Sequence, residues 1–131
     1  MNTHHTLFDT LRLEVPVHPD FFWPAQTLAD FPLCCGPGRN GGLGDRLVPD
    51  RSCGLVWSPA CWVHDFMWGA YPRSTDVFWY SNSVFYRNLL AIVAAEGNRL
   101  PAHQLRVATA VAGRYYDAVC TAGAVWYFAE L

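Results

Sequence analysis

From Cys34 to Asp50 the chain is so dense in glycine, proline, asparagine and aspartate that no helix or strand can run through it. Gly36, Pro37, Gly38, Gly41, Gly42 and Gly44 fall within eleven residues of Cys34. A loop of that length inside a small domain is usually functional. It also divides the sequence into two unlike parts, a proline-punctuated lead-in over residues 1–33 and a body with helical patterning after residue 57.

In the lead-in, Leu11-Arg12-Leu13-Glu14-Val15 alternates like a short strand that Pro16 stops or confines to an edge. Pro19, Pro24 and Pro32 keep the rest of the lead-in in turns, with Leu28 and Phe31 packing on the body. Residues 1–33 therefore read as an irregular N-terminal arm. In the body, Ser58 is the expected N-cap of a first helix, with Pro59 at its first position and its end near Gly69. Thr75 caps a second helix from Asp76 to Glu96, closed by Gly97-Asn98. Pro101 opens a third from Ala102 to the C-terminus, in which Ala108, Ala112, Ala118 and Ala122 allow close helix approach. The expectation is a single, mainly α domain at residues 34–131, carried by two long antiparallel helices and preceded by the arm.

The first helix carries Cys61-Trp62-Val63-His64-Asp65. Successive helical residues point about 100° apart, so His64 and Asp65 face different partners. A neutral imidazole takes up a proton near neutral pH, and a carboxylate suits a hard cation, which the loop's backbone carbonyls could share. His64 is thus a candidate base and Asp65 a candidate cation ligand. A structural histidine and a solvated or capping aspartate are the alternatives. His4, His5, His18 and His103 lack any such context.

The order Cys35-Gly36-Pro37-Gly38, then Leu47-Val48-Pro49-Asp50, then Cys61 and His64-Asp65 resembles the phospholipase A2 superfamily, and most of all its short bacterial and phage members. The resemblance runs from Cys34 to Trp68, weakens from Tyr80 to Leu90 and is absent from the arm. It implies a phospholipase A2-like fold and calcium-dependent hydrolysis of the sn-2 ester of glycerophospholipids by a water that His64 activates. By the same resemblance, calcium (Ca2+) is held by the carbonyls of Cys34, Gly36 and Gly38 and by the Asp65 carboxylate. The Gly38 amide helps stabilise the oxyanion, and Cys35 pairs with Cys61. That bond would close about 25 residues and contribute roughly 3 kcal/mol. The expected partner is a phospholipid membrane or micelle surface.

Three positions depart from the family pattern. Arg39 stands where a second glycine is frequent. On the second helix Phe85, Asn88 and Leu89 keep the family's frame, but Asn82 replaces the aspartate that accepts from the histidine's far nitrogen. Trp68 replaces a tyrosine that supports that carboxylate. An asparagine orients the ring without stabilising an imidazolium, and its NH2 face favours the wrong tautomer. Asp117 is a candidate substitute partner for His64. A catalytically degenerate module with the same fold is therefore the alternative function. A zinc site from Cys34, Cys35, Cys61 and His64 is a weaker one, because adjacent cysteines fit one tetrahedral centre poorly.

Composition excludes further classes. Nine arginines, no lysine and a net charge of -2 leave no basic footprint for nucleic acid and little pull toward anionic lipid. Contact with lipid would rest on the eight Phe, six Tyr and six Trp, which also suffice to fill an aromatic core. No signal-peptide pattern and no membrane-spanning run is visible, so localisation stays open between another secretion route and association with a phage or effector. Five cysteines leave at least one thiol unpaired; a bridge is expected only in an oxidising setting. Cys53 could pair with Cys34, and Cys120 reads as a small core residue.

Overall fold

A computed structural model describes residues 2–8, 11–20, 23 and 51–129. The expectations for Leu28, Phe31, Cys34, Cys35, Gly36, Gly38 and Arg39 lie outside these residues. Within them the protein is mainly helical. Helix α1 spans Ser58–Ala70, α2 spans Thr75–Glu96, α3 spans Ala102–Cys120 and α4 spans Ala122–Phe128. Two antiparallel hairpins precede them, β1 (Thr3–Phe8) with β2 (Leu11–Pro16), and β3 (Arg51–Ser52) with β4 (Leu55–Val56).

The lead-in is more regular than its prolines suggest. Thr3 pairs with Pro16 and Phe8 with Leu11, so Pro16 closes the ladder at its open end, where a missing N–H costs nothing. Leu11, Leu13 and Val15 point inward from alternate positions and are buried in the main core. The irregular arm is thus corrected over residues 3–16 to a hairpin that packs on α2 and α1.

Helix α2 is the central element. Its buried residues Phe78, Ser81, Asn82, Phe85, Asn88, Leu89 and Ile92 follow the i, i+3, i+4, i+7 spacing of one helical face. Contacts fix its direction relative to both neighbours. His64 meets Asn82 and Trp68 meets Ser81, so α1 and α2 run antiparallel. Asn82 meets Cys120 and Tyr86 meets Tyr116, so α3 is antiparallel to α2 as well. Ala108 and Ala112 are fully buried on α3, where small side chains shorten the distance between helix axes.

The helix boundaries differ from the sequence reading in three places. Ser58 is the first helical residue and caps nothing; Trp57 occupies the N-cap position. Ser74, one residue before the expected Thr75, caps α2 by accepting from the Val77 amide at 3.1 Å. The third helix breaks at Thr121, whose hydroxyl donates to the Asp117 carbonyl at 2.7 Å. A threonine bonding back four residues bends a helix, and Thr121, at φ -106 and ψ -80, leaves the helical region between α3 and α4.

The β3–β4 turn places Cys53 at φ 56 and Gly54 at φ 77, the paired left-handed conformation of a tight hairpin. Asparagine or glycine is the usual occupant, so Cys53 carries a small steric cost, about 1–2 kcal/mol. Its thiol is free. Among the described residues no helix is long and apolar enough to cross a membrane.

Candidate functional site

His64 lies where α1 packs on α2. The residue sits on the face of α1 that turns to α2, is 1% exposed, and holds its Nε2 2.7 Å from Asn82 Oδ1. Phe85 and Trp68 flank the imidazole, with ring centroids 4.6 and 4.4 Å away. Desolvation by this apolar packing pushes the His64 pKa down to about 4, and the Asn82 hydrogen bond only partly offsets it. The ring is therefore neutral at every pH near 7.

Asn82 is completely buried, and each end of its amide has a partner. The oxygen faces His64, while Nδ2 donates to Cys120 Sγ at 3.6 Å. The Cys120 sulfur also takes a hydrogen bond involving Tyr116, and burial raises its thiol pKa, so it stays protonated. With the amide oxygen toward the ring, Nε2 carries the imidazole proton and Nδ1 keeps the lone pair. The amide thus presents the favourable face, against the expectation that its NH2 group would impose the wrong tautomer. Asp117 is not the substitute partner: the ring's hydrogen bond is to Asn82, and the Asp117 carboxylate acts on Cys120 and Tyr116 instead.

Trp68 does not reach Asn82 either. Its indole N–H donates to Ser81 Oγ at 2.8 Å, and Ser81 in turn donates to the Phe78 carbonyl at 3.0 Å. The indole's role is cover. It lies between the imidazole on one side and Trp126 and Tyr127 of α4 on the other, at 5.7 and 4.9 Å. Gly123 makes this approach possible, since a Cβ there would meet Trp68 Cη2 at 3.2 Å. Arg73 holds α4 in place, donating to the Tyr127 carbonyl at 2.8 Å and standing over the Trp126 and Tyr127 rings.

Asp65 is half-buried on the adjoining face of α1, about 100° round the helix from His64. A carboxylate there is a hard oxygen donor and suits calcium. The other ligands that the resemblance implies, Cys34, Gly36 and Gly38, lie outside the described residues, as does Cys35. Cys61 is fully buried on α1 and disulfide-bonded. A bridged sulfur has no thiolate to offer, which removes Cys61 from any zinc set. Among the described residues, no three His, Cys, Asp or Glu side chains converge as a metal site.

Two further clusters support the centre. Asn88 accepts from the Glu14 amide and donates to the Glu14 carbonyl, both at 2.8 Å, clamping β2 to α2. Arg87 grips the Glu14 carboxylate with two 2.8 Å bonds and holds its pKa below the usual carboxylate value. On the opposite flank, Ser52 accepts from the Trp57 indole and bonds the Tyr115 hydroxyl, joining the β3–β4 hairpin to α3. His18, incidental in the sequence, packs edge-on against Phe66 and Tyr71. A cavity of about 290 Å3 on the β3–β4 hairpin is lined by Arg51, Ser52 and residues 54–56, and so excludes His64, Asp65 and Asn82.

Of the residues the sequence singled out, His64 and Asn82 are brought together and Asp65 stands beside them, while Cys120 and Ser81, which bond Asn82 and Trp68, carried no motif signal. Cys120 lies 38 residues from Asn82, and no local spacing signals such a pair. Ser81 was visible as a polar residue on an apolar face, which is the signal of a buried hydrogen bond. Compared with protein-family models, with curated proteins and with solved structures, the chain matches none.

Proposed function

We propose that the protein is a calcium-dependent, phospholipase A2-like hydrolase that cleaves the sn-2 ester of glycerophospholipids. One observation carries the reading: His64 is held by a buried hydrogen bond from Nε2 to Asn82, which leaves Nδ1 as the acceptor nitrogen. Asp65 stands beside it on the next face of the same helix. In this reading His64 Nδ1 removes a proton from the attacking water, and Asn82 keeps the ring from rotating. Phe85 and Trp68 exclude bulk solvent from its faces. Asp65, with the carbonyls of Cys34, Gly36 and Gly38, would hold calcium, which when bound supplies positive charge to the developing oxyanion together with the Gly38 amide. The Cys35–Cys61 pairing belongs to the same proposal.

The second reading, a fold-retaining module without turnover, draws on a different observation. An imidazole 1% exposed, with a pKa pushed to about 4, is a weak base, and Asn82 lends it no charge. The two readings separate in one assay, fatty-acid release from mixed phospholipid vesicles with calcium and then with excess chelator. Hydrolysis predicts release that stops with chelator and in His64→Ala. Asn82→Asp should then raise the rate by about 10–10³, since a carboxylate stabilises the imidazolium that the amide does not. No release from either the native protein or Asn82→Asp would favour the module.

A further inference from the structure

A carboxylate beside a histidine accepts hydrogen bonds through both oxygens, so it holds the ring's proton on the near nitrogen without help. An asparagine has an acceptor end and a donor end, and something else must decide which end meets the ring. Asn82 is buried between two helices, and the group at its far end is Cys120 on α3. The sulfur offers lone pairs to the amide N–H, while its S–H is only a weak donor to an amide oxygen. Turning the amide over would exchange the Nε2–H···O bond for one that forces the imidazole proton onto Nδ1, the nitrogen a base must keep bare.

We infer that Cys120 is a positioning residue: by accepting the Asn82 Nδ2–H it turns the amide oxygen toward His64 and keeps the imidazole proton on Nε2. A side chain of α2 that bonds the histidine is thus oriented by α3, a helix the histidine itself does not bond. The value of this tautomer for catalysis rests on the hydrolase reading; the tautomer itself does not.

The test reads the ring directly. Protein labelled with 15N-histidine is examined near neutral pH, without calcium, by long-range 1H–15N correlation of the imidazole nitrogens, with His64→Gln assigning the signals. The native ring should show the Nε2–H form in roughly tenfold excess, and Cys120→Ala should bring the two forms toward parity, the change expected for loss of one neutral hydrogen bond. Cys120→Val, closer in volume, should do the same and exclude a cavity effect. In the Asn82→Asp background Cys120→Ala should leave the ring unchanged, because a carboxylate has no donor end; a merely structural cysteine would perturb both backgrounds alike. A native ring protonated on Nδ1, an unchanged ratio in both cysteine variants, or an equal shift in the Asn82→Asp background would each overturn the inference. A protein that releases no fatty acid but shows the predicted ring spectra would overturn only the hydrolase reading.

Discussion

At the scale of single residues, the cost of burying His64 is a property that can be weighed. The unfolded chain protonates this imidazole near 6.5, the folded protein near 4, so between those values the unfolded state binds a proton that the folded state refuses. Stability from this group is complete above pH 6.5 and is lost as the pH falls toward 4. The difference amounts to about 3 kcal/mol, an order-of-magnitude figure for a fully buried group. Urea unfolding in chelator should therefore show a drop between pH 7 and 4 that is smaller in His64→Gln. Glu14, whose carboxylate is also held below its usual pKa, loses stability further into acid and does so equally in both proteins. An identical drop in the two would mean that His64 is not dry. His64 and Asp65 were legible from their place in Cys61-Trp62-Val63-His64-Asp65, and Asn82 through the resemblance, by the frame that Phe85, Asn88 and Leu89 keep. Cys120 was not legible, because its partner is brought to it only by the packing of α2 against α3.

At the scale of elements, the hairpin and α2 behave as one unit. The two Asn88 bonds reach the backbone of Glu14 across 74 residues of sequence, and both are buried. Asn88→Ala would leave a buried amide N–H and a buried carbonyl of β2 without partners, at a cost of about 2–4 kcal/mol for the pair. Hydrogen exchange should then accelerate at Leu13 and Val15 before it does in α3. Uniform acceleration everywhere would show that β2 does not open separately. The helices themselves were well announced: Pro59, Pro101 and the Gly97-Asn98 pair mark ends that the structure keeps to within a residue or two. Two features escaped. The β1–β2 hairpin was hidden because Thr3–Phe8 carries two histidines and two threonines, so the alternating apolar signal, Leu11, Leu13 and Val15, is that of β2. The break at Thr121 was hidden because a lone threonine in an alanine-rich helical pattern is no stop signal, and only its hydroxyl bond to the Asp117 carbonyl marks the break.

At the scale of the whole molecule, the imidazole's surroundings come from every helix of the described chain. Helix α1 supplies Trp68, α2 supplies Phe85 and Asn82, α3 supplies Cys120, and α4 backs Trp68 with Trp126 and Tyr127. The tight spot in this stack is Gly123. Gly123→Ala would place a methyl 3.2 Å from the edge of Trp68, forcing the indole or α4 to shift and costing about 1–3 kcal/mol by overpacking. Tryptophan fluorescence and thermal unfolding should both report the change, with Trp68→Phe relieving it. Gly123→Ala at native stability would show that the stack has slack. Because Trp126 and Tyr127 of α4 back the Trp68 that covers the imidazole, lifting α4 would let water reach the ring and raise its pKa from about 4 toward the ordinary 6.5. The histidine thereby reports on a helix it does not bond: an NMR titration of His64 in Gly123→Ala should move upward, and an unmoved titration would show that α4 adds nothing to the dryness of the ring.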